Sequence, residues 1–171
     1  MGMRTPVEIV ALVVSPVHAF EGRPADGPRP DPTPAGRPEV EIRAGLGIVG
    51  DRYFGQKVHR NAAVTLLDAD SLNVFDPVPD PVVLRRNIVL RGFPLDTLAA
   101  ASGSIGRRFS LDSGAGPVEF QAHRPANPCA WMNVVIGAGA MKALRGHGGI
   151  RSTPLTSGVL RLGPAVLELL D

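Results

Sequence analysis

The sequence predicts a mainly β protein, a barrel or sandwich decorated with a few short helices. Three observations carry that expectation. Short β-branched or alternating segments recur along the whole chain, Gly- and Pro-rich turns separate them, and the helical patterns are few and brief. No internal repeat or second composition regime is visible, so residues 1–171 are read as one domain, with residues 20–38 as a proline-rich surface loop.

Residues 7–14 are β-branched and apolar and read as a largely buried strand. The run contains Glu8 and stops at Pro16, so it is too short to cross a bilayer and lacks the charged start and cleavage site of a signal peptide. Residues 20–38 carry Pro24, Pro28, Pro30, Pro32, Pro34 and Pro38. Proline has no N–H and a fixed φ, which bars this stretch from a sheet or helix interior. A surface loop is favoured over a partner-binding polyproline segment, because no Pro-x-x-Pro unit with basic flanks stands out.

Residues 39–43 alternate polar and apolar, as a strand with one wet face does. Three glycines in residues 45–51 then break any regular element. Residues 62–67 form another apolar strand, and Asp68 is placed to cap a short helix that Pro77, Pro79 and Pro81 end. Residues 84–90 read as a strand carrying Arg85, Arg86 and Asn87. Residues 95–101 look like a helical turn, and residues 107–111 and 118–122 like strands around a Gly-rich turn. Residues 128–136 and 138–144 read as short helices, the second ended by Gly146, and residues 159–162 and 165–170 as a hairpin around Gly163-Pro164.

Charge and composition narrow the function classes. Apolar residues make up 44% and charged residues 20%, with a net charge of +2, as in a folded globule. Basic side chains are scattered rather than clustered, and one Trp and one Tyr offer little stacking surface, so a nucleic-acid module is set aside. Arginine far outnumbers lysine, a bias shared with the abundance of Ala, Gly and Pro. A single cysteine excludes an intramolecular disulfide and, with no signal peptide visible, predicts a cytoplasmic protein in a reducing compartment.

Three segments carry candidate chemistry. In Asn127-Pro128-Cys129, Asn127 suits an N-cap and Pro128 the first helical position, which puts Cys129 in a first helical turn whose free N–H groups favour a thiolate. The competing reading makes Cys129 a small buried hydrophobe, and the sequence weighs the two equally. In Gly47-x-x-Gly50-Asp51-Arg52, backbone amides could approach an anion, although a tight turn closed by Asp51 is the stronger reading. On a strand, Arg85 and Asn87 would share one face, toward either a ligand or solvent. His18, His59, His123 and His147 do not fall into metal-ligand spacing with Cys129, and no Ser-His-Asp arrangement is recognisable.

In this order, these segments resemble the MOSC family, the domain found at the C-terminus of molybdenum cofactor sulfurases and as standalone bacterial proteins. The resemblance spans most of the chain: Gly47-x-x-Gly50-Asp51-Arg52, residues 64–69, Arg85-Arg86-Asn87-Ile88-Val89, Gly92-x-x-Leu95, Pro128-Cys129 with Met132, Gly137-x-Gly139, Gly148-Gly149-Ile150 and the closing Gly158 and Gly163. It implies a MOSC-type β-barrel with Cys129 as the catalytic residue, carrying sulfur as a persulfide or ligating the molybdenum of a pterin cofactor. Arg52, Arg85, Asn87 and Asn127 would then line the cofactor or its phosphate. The 171 residues hold neither the companion barrel of larger molybdenum-binding relatives nor a pyridoxal-phosphate desulfurase domain. A cysteine desulfurase or a molybdoenzyme is therefore the implied partner. The other reading keeps the fold as a non-catalytic domain that binds a small anionic ligand or a protein.

Overall fold

A computed structural model describes residues 2–170. Seven strands close into a barrel: β1 (Arg4–Leu12), β4 (Val64–Asp68), β5 (Ile88–Arg91), β6 (Arg108–Asp112), β7 (Val118–Pro125), β8 (Ile150–Pro154) and β10 (Gly163–Leu170). Around the barrel the order is β1-β10-β6-β7-β8-β4-β5, with β5 returning to β1. A separate three-stranded sheet joins β2 (Glu39–Arg43), β3 (Gly47–Ile48) and β9 (Gly158–Arg161) in the order β3-β2-β9. Among the described residues there are also two short α-helices, α1 (Trp131–Val135) and α2 (Ala140–Ala143), and several 3-10 turns. The mainly β barrel with few helices is the class the sequence predicts.

Of the barrel pairs described, β4 and β5 alone run parallel, and parallel strands need a crossover. Residues 69–87 supply it as two 3-10 turns. The Asp68 carboxylate accepts from the Asp70 N–H at 2.9 Å to start the first, Ala69–Val74. The Asp80 carboxylate accepts from the Val82 N–H at 3.0 Å to start the second, Pro81–Leu84. The predicted Asp68 cap is in place.

Both faces of this part of the barrel are buried. Leu66, Ile88 and Leu12 point inward, where Phe109 and Phe120 stack at 5.3 Å, while Leu67, Val89 and Ala11 point outward beneath Trp131, Met132 and Leu144. A strand covered on both sides has no wet face, which is why residues 62–67 read as a continuous apolar run. Strand β2 alternates exposed and buried as its sequence does. Its Val40 and Ile42 join Ile48 and Leu160 in the same apolar cluster as the barrel interior. Trp131 also stacks on Phe20 at 5.3 Å, so the proline-rich segment and α1 hold each other against the barrel.

Four local expectations are corrected. Residues 159–162 and 165–170 do not form a hairpin: β9 pairs with β2, and β10 pairs with β1 and β6. Only Leu162 separates the two strands, too little chain to fold them side by side. Gly163, at φ 107°, instead turns the chain from one sheet into the other. Residues 45–51 are not wholly irregular, since Gly47 and Ile48 pair with Arg43 and Ile42. Residues 84–90 are not one strand. The 3-10 turn ends in Arg85, whose φ of 63° and ψ of 22° are left-handed, and pairing begins only at Ile88. Helix α1 starts at Trp131 rather than at Pro128. The Ala126 N–H is spent on the Gly149 carbonyl at 2.8 Å, which keeps the chain before the helix extended.

Candidate functional site

The loop after β3 turns at Gly50 (φ 89°) and delivers Asp51 into the interior, where it is 6% exposed. One Asp51 oxygen accepts from the Asn87 side-chain amide at 3.2 Å and from Arg52 at 3.3 Å, and the other accepts from the Tyr53 N–H at 3.2 Å. Burial nevertheless dominates and pushes the Asp51 carboxyl above the ordinary carboxylate range, against the opposing pull of Arg52.

Asn87 is the hub of this side. Its Oδ1 accepts from the Thr65 N–H at 3.0 Å and the Thr65 hydroxyl at 3.2 Å, while Nδ2 donates to the Val13 carbonyl at 3.0 Å and to Asp51. An amide side chain has two acceptor and two donor positions, and all four are filled. Asn87 ties β4, the residue that follows β1 and the glycine loop together and keeps nothing for a ligand.

Arg85 is committed through its two terminal nitrogens, while its buried Nε has no partner among the described residues. Its guanidinium donates two parallel bonds to Asp31, at 2.7 and 2.8 Å, and a weaker one to the Val17 carbonyl at 3.4 Å. The pair clamps the proline-rich segment to the barrel, with side chains 7% and 21% exposed. That hydrogen bonding holds the Asp31 carboxyl below its ordinary value despite burial. A left-handed non-glycine residue costs on the order of 1 kcal/mol, and the two-pronged ion pair holds Arg85 there.

The left-handed turn at Arg85 sends Arg86 elsewhere. Its Nε donates to the Gly148 carbonyl at 2.8 Å and an NH2 group to the Ala126 carbonyl at 3.2 Å. The segment can approach because residues 148 and 149 are glycines: a Cβ on Gly148 would meet the Ala126 oxygen at 2.1 Å, and one on Gly149 the Leu66 oxygen at 2.1 Å. Burial lowers the Arg86 pKa to about 10, with Arg151 and Arg52 adding to the lowering and Cys129 opposing it. Arg86 is still a cation at neutral pH, and it lies within electrostatic reach of the thiol. Asp96, whose carboxylate accepts from the Gly149 N–H at 3.0 Å and is raised by burial, is the acidic group on this side.

Cys129 sits three residues beyond Ala126 and one before the Ala130 cap of α1, and it is exposed. Its carbonyl accepts from the Met132 N–H at 2.9 Å, and the buried Trp131 and Met132 anchor the helix to the barrel wall. The buried-hydrophobe reading of Cys129 is thereby excluded, and the first-turn reading is replaced by a rim position just before the helix. Asn127 is exposed, and its side chain caps nothing.

Of the residues singled out in the sequence, Arg52 and Cys129 lie within electrostatic reach of Arg86, whereas the hydrogen bonds of Arg85 and Asn87 go to the protein's own groups. Arg52 packs over the Tyr53 ring at 4.7 Å beside a cavity shared with His18, Arg29 and His59, and its buried Nε has no partner among the described residues. Arg86 and Arg151 are the residues that sequence reasoning missed. Arg86 stood in the right motif, but strand alternation assigned its face wrongly. Among the described residues no three His, Cys, Asp or Glu side chains converge as a metal cluster.

No protein-family profile matches the chain, and no curated protein matches it in sequence. Solved structures do match. The YuaD protein from Bacillus subtilis superposes with a TM-score of 0.71 over 100% of both chains at 17% identity. YiiM from Geobacillus stearothermophilus superposes with a TM-score of 0.61, covering 96% of this chain and 75% of that one at 15% identity. YiiM from Escherichia coli gives 0.57, covering 99% and 70%, also at 15% identity. These likenesses establish a shared fold.

Proposed function

We propose that this MOSC-like protein acts through Cys129 as a sulfur carrier. The observation that carries this reading is an exposed thiol within electrostatic reach of a guanidinium whose position two backbone carbonyls fix. In the proposed step the Cys129 thiolate attacks the outer sulfur of a donor persulfide. A new S–S bond forms, the donor S–S bond breaks, and the donor leaves as its own thiolate, with no net oxidant required. The positive charge of Arg86, within electrostatic reach, would favour the anionic sulfur in both states of Cys129. A single cysteine suffices, because the sulfur arrives from and leaves to other molecules. A pyridoxal-phosphate-dependent cysteine desulfurase is the proposed donor and a molybdoenzyme the proposed acceptor.

A molybdenum cofactor is the second group the site suits. Its donor set is one soft thiol open to solvent, and Arg52 and Arg151, both within electrostatic reach of Arg86, are the cations that would meet a pterin phosphate. When bound, such a group would supply redox chemistry at the metal. The chain's own part would be to offer the Cys129 sulfur as a ligand and hold the phosphate.

The test is intact-mass analysis after incubation with a cysteine desulfurase and cysteine, with elemental analysis of protein from a molybdenum-replete host. The wild type gains the mass of one sulfur atom, reversible by thiol reductant, and Cys129→Ser gains none. A wild type that takes up neither sulfur nor molybdenum would contradict the proposal.

A further inference from the structure

A cleft whose lining does not include Cys129 is a candidate for a second site. The 3-10 segment Lys57–Ala62, the end of β7 and the start of β8 enclose an open cleft of about 810 Å³. Its charged and titratable lining is Lys57, His59, Arg60, His123, Arg124 and Arg151, with no carboxylate. Several cations elsewhere are paired, Arg4 with Glu168, Arg29 with Glu21, Arg108 with Glu119 and Arg161 with Glu39, while Arg23, Arg37, Arg107, Lys142 and Arg145, unpaired among the described residues, line none of this cleft. Among the described residues, none of Lys57, Arg60, Arg124 and Arg151 makes an ion pair. Four unpaired cations around one concavity repel one another and concentrate a positive field there.

The cleft is built into the fold. Thr153 on β8 donates its hydroxyl to the Arg60 carbonyl at 2.6 Å and meets the His123 ring at 2.9 Å, which ties the 3-10 segment to both strands. Gly106 closes the far wall, where a Cβ would meet the Ala122 oxygen at 2.1 Å, and Gln121 donates to the Gly106 carbonyl at 2.8 Å. The same cleft carries Val58 and Ile105, which at 86% and 85% exposure are the most exposed large aliphatic side chains described. Cations with aliphatic side chains beside them suit a ligand that is anionic at one end and apolar at the other.

We infer that this cleft binds a small organic phosphate, its anionic group held by Arg60, Arg124 and Arg151 and its apolar body against Val58 and Ile105. The volume is that of a small-molecule site. The inference does not rest on the sulfur-carrier reading. Arg151 connects the two places, since it lines the cleft and also lies within electrostatic reach of Arg86.

Calorimetric titration of the full chain with 1-naphthyl phosphate and with inorganic phosphate tests it. The aryl phosphate binds, and inorganic phosphate binds about tenfold more weakly for want of apolar contact. Arg124→Gln weakens both by at least about tenfold, as loss of a charge-assisted hydrogen bond does. Arg60→Gln, another exposed position, does the same and covers the case of a poorly folded first variant. Ile105→Ser erases the preference for the aryl compound, while Cys129→Ser binds both as the wild type does. Arg4→Gln, which removes the same charge far from the cleft, leaves binding unchanged. Absence of binding by either phosphate, or equal weakening by Arg4→Gln and Arg124→Gln, would overturn the inference.

Discussion

Arg85 and Arg86 are adjacent in the chain and identical in chemistry, yet they occupy opposite roles. Arg85 spends its guanidinium on Asp31 and locks the proline-rich segment to the barrel. Arg86 meets only backbone carbonyls through its hydrogen bonds and keeps its charge within reach of Cys129. The left-handed backbone at Arg85 aims that guanidinium at Asp31 and leaves Arg86 to the carbonyls of Gly148 and Ala126, so neighbours of one chemistry meet different partners.

On the proposed function, substitutions at Arg85 and Asn87 should show in stability and those at Arg86 in the reactivity of Cys129. Asn87→Ala strands the Thr65 N–H, the Val13 carbonyl and the Asp51 carboxylate, and should cost about 4 kcal/mol in a denaturant melt. A loss under about 1 kcal/mol would show that water replaces the amide and that Asn87 is no hub. Arg85→Gln should cost about 3 kcal/mol by leaving Asp31 half-buried and unpaired, while alkylation of Cys129 proceeds at the wild-type rate. Arg85→Lys should recover only part of the loss, since an ammonium cannot reproduce the two-pronged contact.

The same pair predicts a pH dependence. The Asp31 carboxyl is held below its ordinary value, so its stabilisation is complete above that value and disappears as pH falls through the depressed one. Asp31→Asn should cost about 2 kcal/mol at neutral pH, and the gap to wild type should close in acid. Asp51, Asp68 and Asp96 are raised by burial and work the other way. Their ionisation costs stability as pH rises from the ordinary carboxylate value through the raised ones. Smallest on the stability scale is Arg86→Gln, at about 1.5 kcal/mol for two hydrogen bonds to carbonyls. It should nonetheless slow alkylation of Cys129 several-fold. Slowing by Arg85→Gln to the same degree would erase the distinction between the neighbours.

The barrel was legible because burial writes itself into residue pattern. The alternation of β2, the two-sided apolar run of β4 and the Asp68 cap are each local consequences of a local environment. The fate of Leu162 was not, because the turn signal at Gly163-Pro164 fits a hairpin as well as a step between sheets, and only the partners of β2 and β10 decide. The candidate site was half legible. Cys129 and the Arg-Arg-Asn motif could be picked out, but alternation cannot foresee a left-handed arginine held by an aspartate 54 positions away. Nor does anything local show that Arg124 and Arg151 meet Lys57 and Arg60 across one cleft.

The central claim is that the Cys129 sulfur, served by Arg86 and not by Arg85, accepts sulfur from a persulfide. The rate of sulfur loading, followed by intact mass with a desulfurase and cysteine, measures this on wild type, Arg85→Gln and Arg86→Gln side by side. The account predicts loading of wild type and Arg85→Gln at similar rates and a markedly slower Arg86→Gln. Loading of Arg86→Gln at the wild-type rate, or of no variant at all, would contradict it.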